Sequence, residues 1–228
     1  MSEIVLVIGA HPDDEVLGCG GTIAWHVARG DKVHVAIMGE GATARHATDD
    51  PAHNAEIERL GECAQRCGAI LGVSSMYFHG FPDNRMDSLG QLTINKSVAQ
   101  LGEERQPTII YTHHAFDLNV DHRCIHEAVM TAFRPLPGTK LKKILCFETP
   151  SSTEWQTPTP HLSFVPQYHV DISEFLELKL RALAEYESEL RAFPHPRSLE
   201  GVTHLARWRG VGIGRAAAEV FMVARIIV

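Results

Sequence analysis

Residues 4–10, Ile4-Val5-Leu6-Val7-Ile8-Gly9-Ala10, form a continuous apolar run rich in β-branched side chains. Such a run predicts a strand buried on both faces, the situation of a strand inside a parallel sheet. It stops at His11-Pro12-Asp13-Asp14-Glu15. Nothing in that group gains from burial beside an apolar strand unless something binds it. Open α/β sheets place their sites at the carboxyl ends of strands. Gly18-Cys19-Gly20-Gly21 then reads as loosened backbone, and Thr22 to Arg29 as the start of a helix.

His11 and Asp14 are three residues apart, and both are good ligands for a zinc-like ion. Three crowded carboxylates repel one another and raise one another's pKa unless a cation is present. With an ion on His11 and Asp14, Asp13 would stand near the open coordination position as a general base. The competing reading is a strand-to-helix turn in which Asp13 or Asp14 only caps the helix.

The rest of the chain alternates strand and helix patterns. Strands are predicted at Lys32 to Met38, Met76 to His79, Thr108 to Thr112 and Ile144 to Glu148, with a short one at Val165 to Val170 and a closing one at Glu219 to Val228. Helices are predicted at Asn54 to Leu71, Leu92 to Arg105, after His122, and at Leu199 to Arg209. A long amphipathic helix is predicted from Glu174 to about Ala192, capped by Ser173, with Glu174, Glu177, Lys179 and Arg181 on its wet face. No repeat, low-complexity tract or long linker divides the chain. The expectation is a single domain over residues 1–228, an α/β three-layer Rossmann-like fold with a mainly parallel sheet.

The fourth strand ends as the first does, in ligand-type residues: His113-His114-Ala115-Phe116-Asp117-Leu118-Asn119-Val120-Asp121-His122. In a sheet ordered 3-2-1-4-5 the first and fourth strands are neighbours, and their carboxyl ends flank the crevice. His11, Asp14 and a later histidine, with His122 favoured, then make a two-His, one-carboxylate site with a position left for water. Zinc is the expected ion, although the same ligands accept other divalent transition metals.

Composition narrows the function class. The 228 residues carry a net charge of −7 and are 44% hydrophobic. That acidity argues against a nucleic-acid footprint. No apolar run approaches the roughly 20 residues of a membrane span. The start, Met1-Ser2-Glu3-Ile4, lacks the basic region of a signal peptide. Five cysteines form no regular framework, so a reducing cytoplasm is expected. A homo-oligomer is compatible with all of this.

Ala10-His11-Pro12-Asp13-Asp14-Glu15 followed by Gly20-Gly21-Thr22 resembles the opening signature of the LmbE-like, or PIG-L, N-acetylglucosaminyl deacetylases. The resemblance extends to Asp121-His122-Arg123, to Ser151-Ser152-Thr153-Glu154-Trp155 and to Arg209-Gly210 through Ala218-Glu219. It implies a Rossmann-like hydrolase that uses zinc to remove an acetyl group from an amino-sugar substrate. It makes His11, Asp14 and His122 the metal ligands, Asp13 the general base and Asp121 a supporting neighbour of His122. Many members carry His-Pro-Asp-His where this chain has Asn119-Val120-Asp121-His122. Asn119 can donate a hydrogen bond but is no useful acid. Side chains alternate along a strand, so one of His113 and His114 should face the crevice, and His114 is favoured as the acid. Arg45, Asp83 and Arg85, with Glu15 and Arg197, are candidates for substrate contacts. Two other classes compete: a Rossmann-type nucleotide-binding protein, for which Gly18-Cys19-Gly20-Gly21 lies too far past the strand, and a non-catalytic metal-binding protein.

Overall fold

The apolar runs assemble into one seven-stranded sheet. In the computed structural model, which describes residues 2–43 and 51–228, the strands are β1 (Ile4–Gly9), β2 (Lys32–Gly39), β3 (Ser75–Phe81), β4 (Ile109–His113), β5 (Lys143–Phe147), β6 (Tyr168–Asp171) and β7 (Ala218–Ile226). Their order is β3-β2-β1-β4-β5-β7-β6. The first five are parallel, and β7 runs antiparallel to both β5 and β6. The expected 3-2-1-4-5 order holds, with the closing strands added beside β5.

Alternation along the strands sorts the core into two layers. Val5, Val7, Val33 and Val35 face one side and pack with α1 (Asp14–Ala28), α2 (Pro51–Leu71), α5 (Leu176–Ala184) and α6 (Leu199–Val211). Leu6, Ile8, Ala36 and Met38 face the other and pack with α3 (Gln91–Arg105) and α4 (Val120–Ala132). This is the three-layer α/β arrangement. Cys63 and Cys67 serve as small apolar groups in the first layer. Among the described residues, no helix is long and apolar enough to cross a membrane.

Two helices differ from their sequence patterns. α1 starts at Asp14 rather than Thr22, and takes the glycines into a helix interrupted at Cys19, where φ is −150° and ψ 26°. The interruption frees backbone groups in the interior. Glu219 on β7 accepts from the Gly21 and Thr22 N–H groups at 2.9 and 2.6 Å, and Lys179 Nζ donates to Leu17 C=O at 2.9 Å. Lys179 and Glu219 also meet at 2.6 Å, both almost fully buried. Lys179 therefore lies in the core and not on the wet face of α5. The glycines serve close packing: a Cβ at Gly18 would stand 2.3 Å from the Phe147 ring, and one at Gly21 2.8 Å from Ile172. α5 itself ends at Ala184, short of the expected Ala192. Turns at Glu189 and Leu190, bonded back to Tyr186 C=O, replace its last part.

Candidate active site

β1 and β4 are neighbours, so their carboxyl ends bring the two clusters together. The chain leaves β1 through Asp13, whose φ of 112° is a left-handed conformation. A non-glycine residue adopts it only where its surroundings enforce it, and such strain collects at functional sites. The His11 N–H donates to Asp14 Oδ2 at 2.7 Å, which sets the Asp14 carboxylate at the start of α1.

Asp14 Oδ2 lies 3.4 Å from His11 Nδ1, from His113 Nε2 and from His122 Nε2. His11, Asp14 and His122 each offer a ligand atom, and these atoms all lie within 4.8 Å of one another. Asp14 Oδ1 and Asp13 Oδ1 are buried without a hydrogen-bond partner. A buried carboxylate oxygen left bare is costly unless a cation or a proton meets it. Two imidazoles, one carboxylate and bare oxygens beside them fit a zinc-like divalent ion.

Charge is arranged accordingly. Burial opposes ionisation of Asp14, yet the His122 and His113 rings hold its carboxyl well below the usual range. Burial would lower His122, but Asp14 and Asp117 outweigh it and push the imidazole up to about 9. Asp13 is shifted upward by burial, against the pull of Arg197. Burial also raises Glu15, to about 7.

The supporting carboxylates are allotted differently from the sequence expectation. The Asp121 carboxylate is directed to His11, with Oδ2 2.9 Å from His11 Nε2, and it accepts from the Asn84 and Met86 N–H groups. His122 instead has Asp117, with Nδ1 3.0 Å from Oδ1. Ser152 and Thr153 donate to Asp117 in turn. Sequence reasoning missed Asp117. The signal was present as a carboxylate between β4 and His122, because ligating imidazoles are generally held through the second ring nitrogen.

The paired histidines are turned the other way round from expectation. His114 points away from the cluster, donating from Nε2 to Leu162 C=O at 2.9 Å and packing against Phe116 and Phe164. His113 faces the site. It stacks on His122 at 3.8 Å, and its Nε2 accepts from the Ala10 N–H at 2.9 Å. Burial lowers His113 to about 4, so it is a neutral ring already used by the backbone.

The remaining candidates take different places around the cluster. Asn119 caps α4 through Asp121 N–H and also donates to Asn84. Asp83 is buried, 3.1 Å from His11 Nε2. Arg85 is exposed, and Arg45 lies outside the described residues. Glu15 is buried behind the site, accepting from Tyr186 Oη and from the Asp13 N–H. Arg197 reaches in from the segment before α6 and donates to Asp13 Oδ2 at 3.0 Å. A cavity of about 120 Å³ opens beside His11, Asp13, Asp83, Asn119, Glu189 and Arg197.

This geometry has relatives. Residues 6–133 match the PIG-L family, described as GlcNAc-PI de-N-acetylase. The chain is 31% identical to the uncharacterized deacetylase YaiS of Escherichia coli K12, over 81% of this chain and 90% of that one. It is 27% identical to the diacetylchitobiose deacetylase of Thermococcus kodakarensis, over 81% of this chain and 69% of that one. The fold also superposes on GalB, the 4-carboxy-2-hydroxymuconate hydratase of Pseudomonas putida KT2440, with a TM-score of 0.79 and 22% identity over 100% of this chain and 98% of that one. That likeness concerns the fold alone. With its family model matched over more than half its length, the chain belongs to the PIG-L family.

Proposed function

We propose that this protein is a metal-dependent N-deacetylase that hydrolyses the acetamide of an N-acetylated amino sugar. The observation that carries the reading is the cluster of His11, Asp14 and His122 beside the bare, buried Oδ1 of Asp13. Deacetylase relatives support the reaction class, one of them acting on diacetylchitobiose. The five free cysteines support a cytoplasmic setting.

His11, Asp14 and His122 would hold the ion, zinc by preference. Bound there, it supplies Lewis acidity that makes water nucleophilic near neutral pH and polarises the acetyl carbonyl. Asp13 takes the water's proton at Oδ1, while Arg197 holds Oδ2 and fixes the carboxylate's direction. His113 and His114 are both engaged elsewhere, one by Ala10 and one by Leu162. Asp13 therefore also returns the proton to the departing nitrogen. Products are acetate and the free amine. The test is acetate release from a panel of N-acetylated sugars by metal-reconstituted protein. Stoichiometric metal with no acetate from any of them would sink the proposal.

A further inference from the structure

Ser151, in the turn that follows β5, has a φ of 66°, in the left-handed region where glycine is the default residue. The chain nevertheless keeps a side chain there. The Ser151 N–H donates to Glu154 Oε1 at 2.7 Å, which helps to hold the strained backbone. The hydroxyl accepts from Arg197 Nε at 2.7 Å. Arg197 Nη1 donates in turn to Asp13 Oδ2 at 3.0 Å, and Glu189 Oε2 lies 3.8 Å from the same nitrogen. A guanidinium is planar, so a bond at Nε sets the plane in which Nη1 reaches out. Without that bond the group is free to swing toward Glu189 and release Asp13. The Ser151 hydroxyl therefore settles which carboxylate the guanidinium serves.

The next two residues serve the other arm of the site. Ser152 and Thr153 donate to Asp117, the partner of His122. Their N–H groups both donate to Thr149 C=O, at 3.1 and 3.0 Å. The turn is thus anchored just past β5 by bonds that do not involve the Ser151 hydroxyl.

Resting on the deacetylase reading above, we infer that Ser151 is a positioning residue for the general base, acting through Arg197, while Ser152 and Thr153 act on the metal side through Asp117. The test compares Ser151→Gly with Ser151→Thr. The first removes the hydroxyl and relieves the backbone; the second keeps a hydroxyl but sets a β-branched side chain at positive φ. Stability and turnover should then move in opposite directions. Ser151→Gly should unfold at a parental or higher denaturant concentration and hold its metal against a chelator as the parent does. It should lose about tenfold in kcat, with KM within about twofold. Ser151→Thr should unfold earlier yet turn over faster than Ser151→Gly. Ser152→Ala should instead weaken metal binding. Parental kcat in Ser151→Gly, or turnover that follows stability through the series, overturns the proposal. Weaker metal binding in Ser151→Gly also overturns it, by routing the effect through Asp117. The Arg197 Nε–H resonance, assigned with Arg197→Lys, gives a readout that needs no turnover. It should be shielded from solvent exchange in the parent and exchange faster in Ser151→Gly; equal exchange in both breaks the link to Arg197. No acetate release by the parent from any N-acetylated sugar would remove the deacetylase reading, and the exchange rates would still decide whether Ser151 fixes Arg197.

Discussion

Asp13 holds a backbone conformation that costs a non-glycine residue on the order of 1–3 kcal/mol. Glu15, Arg197 and the start of α1 together keep it there. Asp13→Asn preserves size and most contacts but cannot take a proton. It should keep its metal and lose about 10²-fold or more in turnover, measured as acetate release. Near-parental turnover would take Asp13 out of the mechanism. His122 is tested by elemental analysis: the parent should carry roughly one transition-metal ion per chain and His122→Ala far less. Asp117 gives a subtler outcome. Asp117→Asn leaves all three proposed ligands but weakens the orientation of His122, so metal affinity should fall about 10- to 100-fold in competition with a chelator. An unchanged affinity would mean that Asp117 serves only the turn containing Ser152 and Thr153.

At the scale of elements, the break in α1 depends on a strand and a helix far along the chain. Lys179 and Glu219 take up the groups that the break frees, and neither side chain reaches solvent to any extent. Removing one partner leaves a buried charge uncompensated, so Lys179→Met or Glu219→Gln alone should cost about 3–5 kcal/mol in denaturant unfolding. The double variant should cost less than the sum of the singles. Additive losses would show that the two residues act independently. α5 illustrates why a periodic pattern is weak evidence for solvation. Lys179 reads as a polar-face residue from its neighbours in sequence, while its partner lies 40 residues away.

For the whole molecule, stability should depend on pH through His26, which links α1 to Asp31 and to Tyr111 on β4. Burial lowers its pKa in the folded state, against the pull of Asp31. The unfolded chain therefore binds the proton more readily, and stability is lost as pH falls through the unfolded value of about 6.5. The Tm of the parent should drop between pH 7 and 5, and His26→Gln should flatten that slope; an equal slope in both would place the acid sensitivity elsewhere. The layered sheet, the order of its first five strands and the meeting of His11 and Asp14 with His122 were legible in the sequence. β-branched runs and helical periodicity are local signals, and right-handed crossovers then leave few ways to order parallel strands. Tertiary structure decided the rest. It turned His113 inward and His114 toward Leu162, because Ala10 N–H and Leu162 C=O lie on opposite sides of the strand end. It gave Asp121 to His11, 110 residues away, and left His122 to Asp117. It buried Lys179 and set Arg197 on Asp13 across 184 residues. A side chain's direction at the end of a strand follows from the hydrogen-bond partners that the folded chain brings near, and those partners leave no mark in the residues beside it.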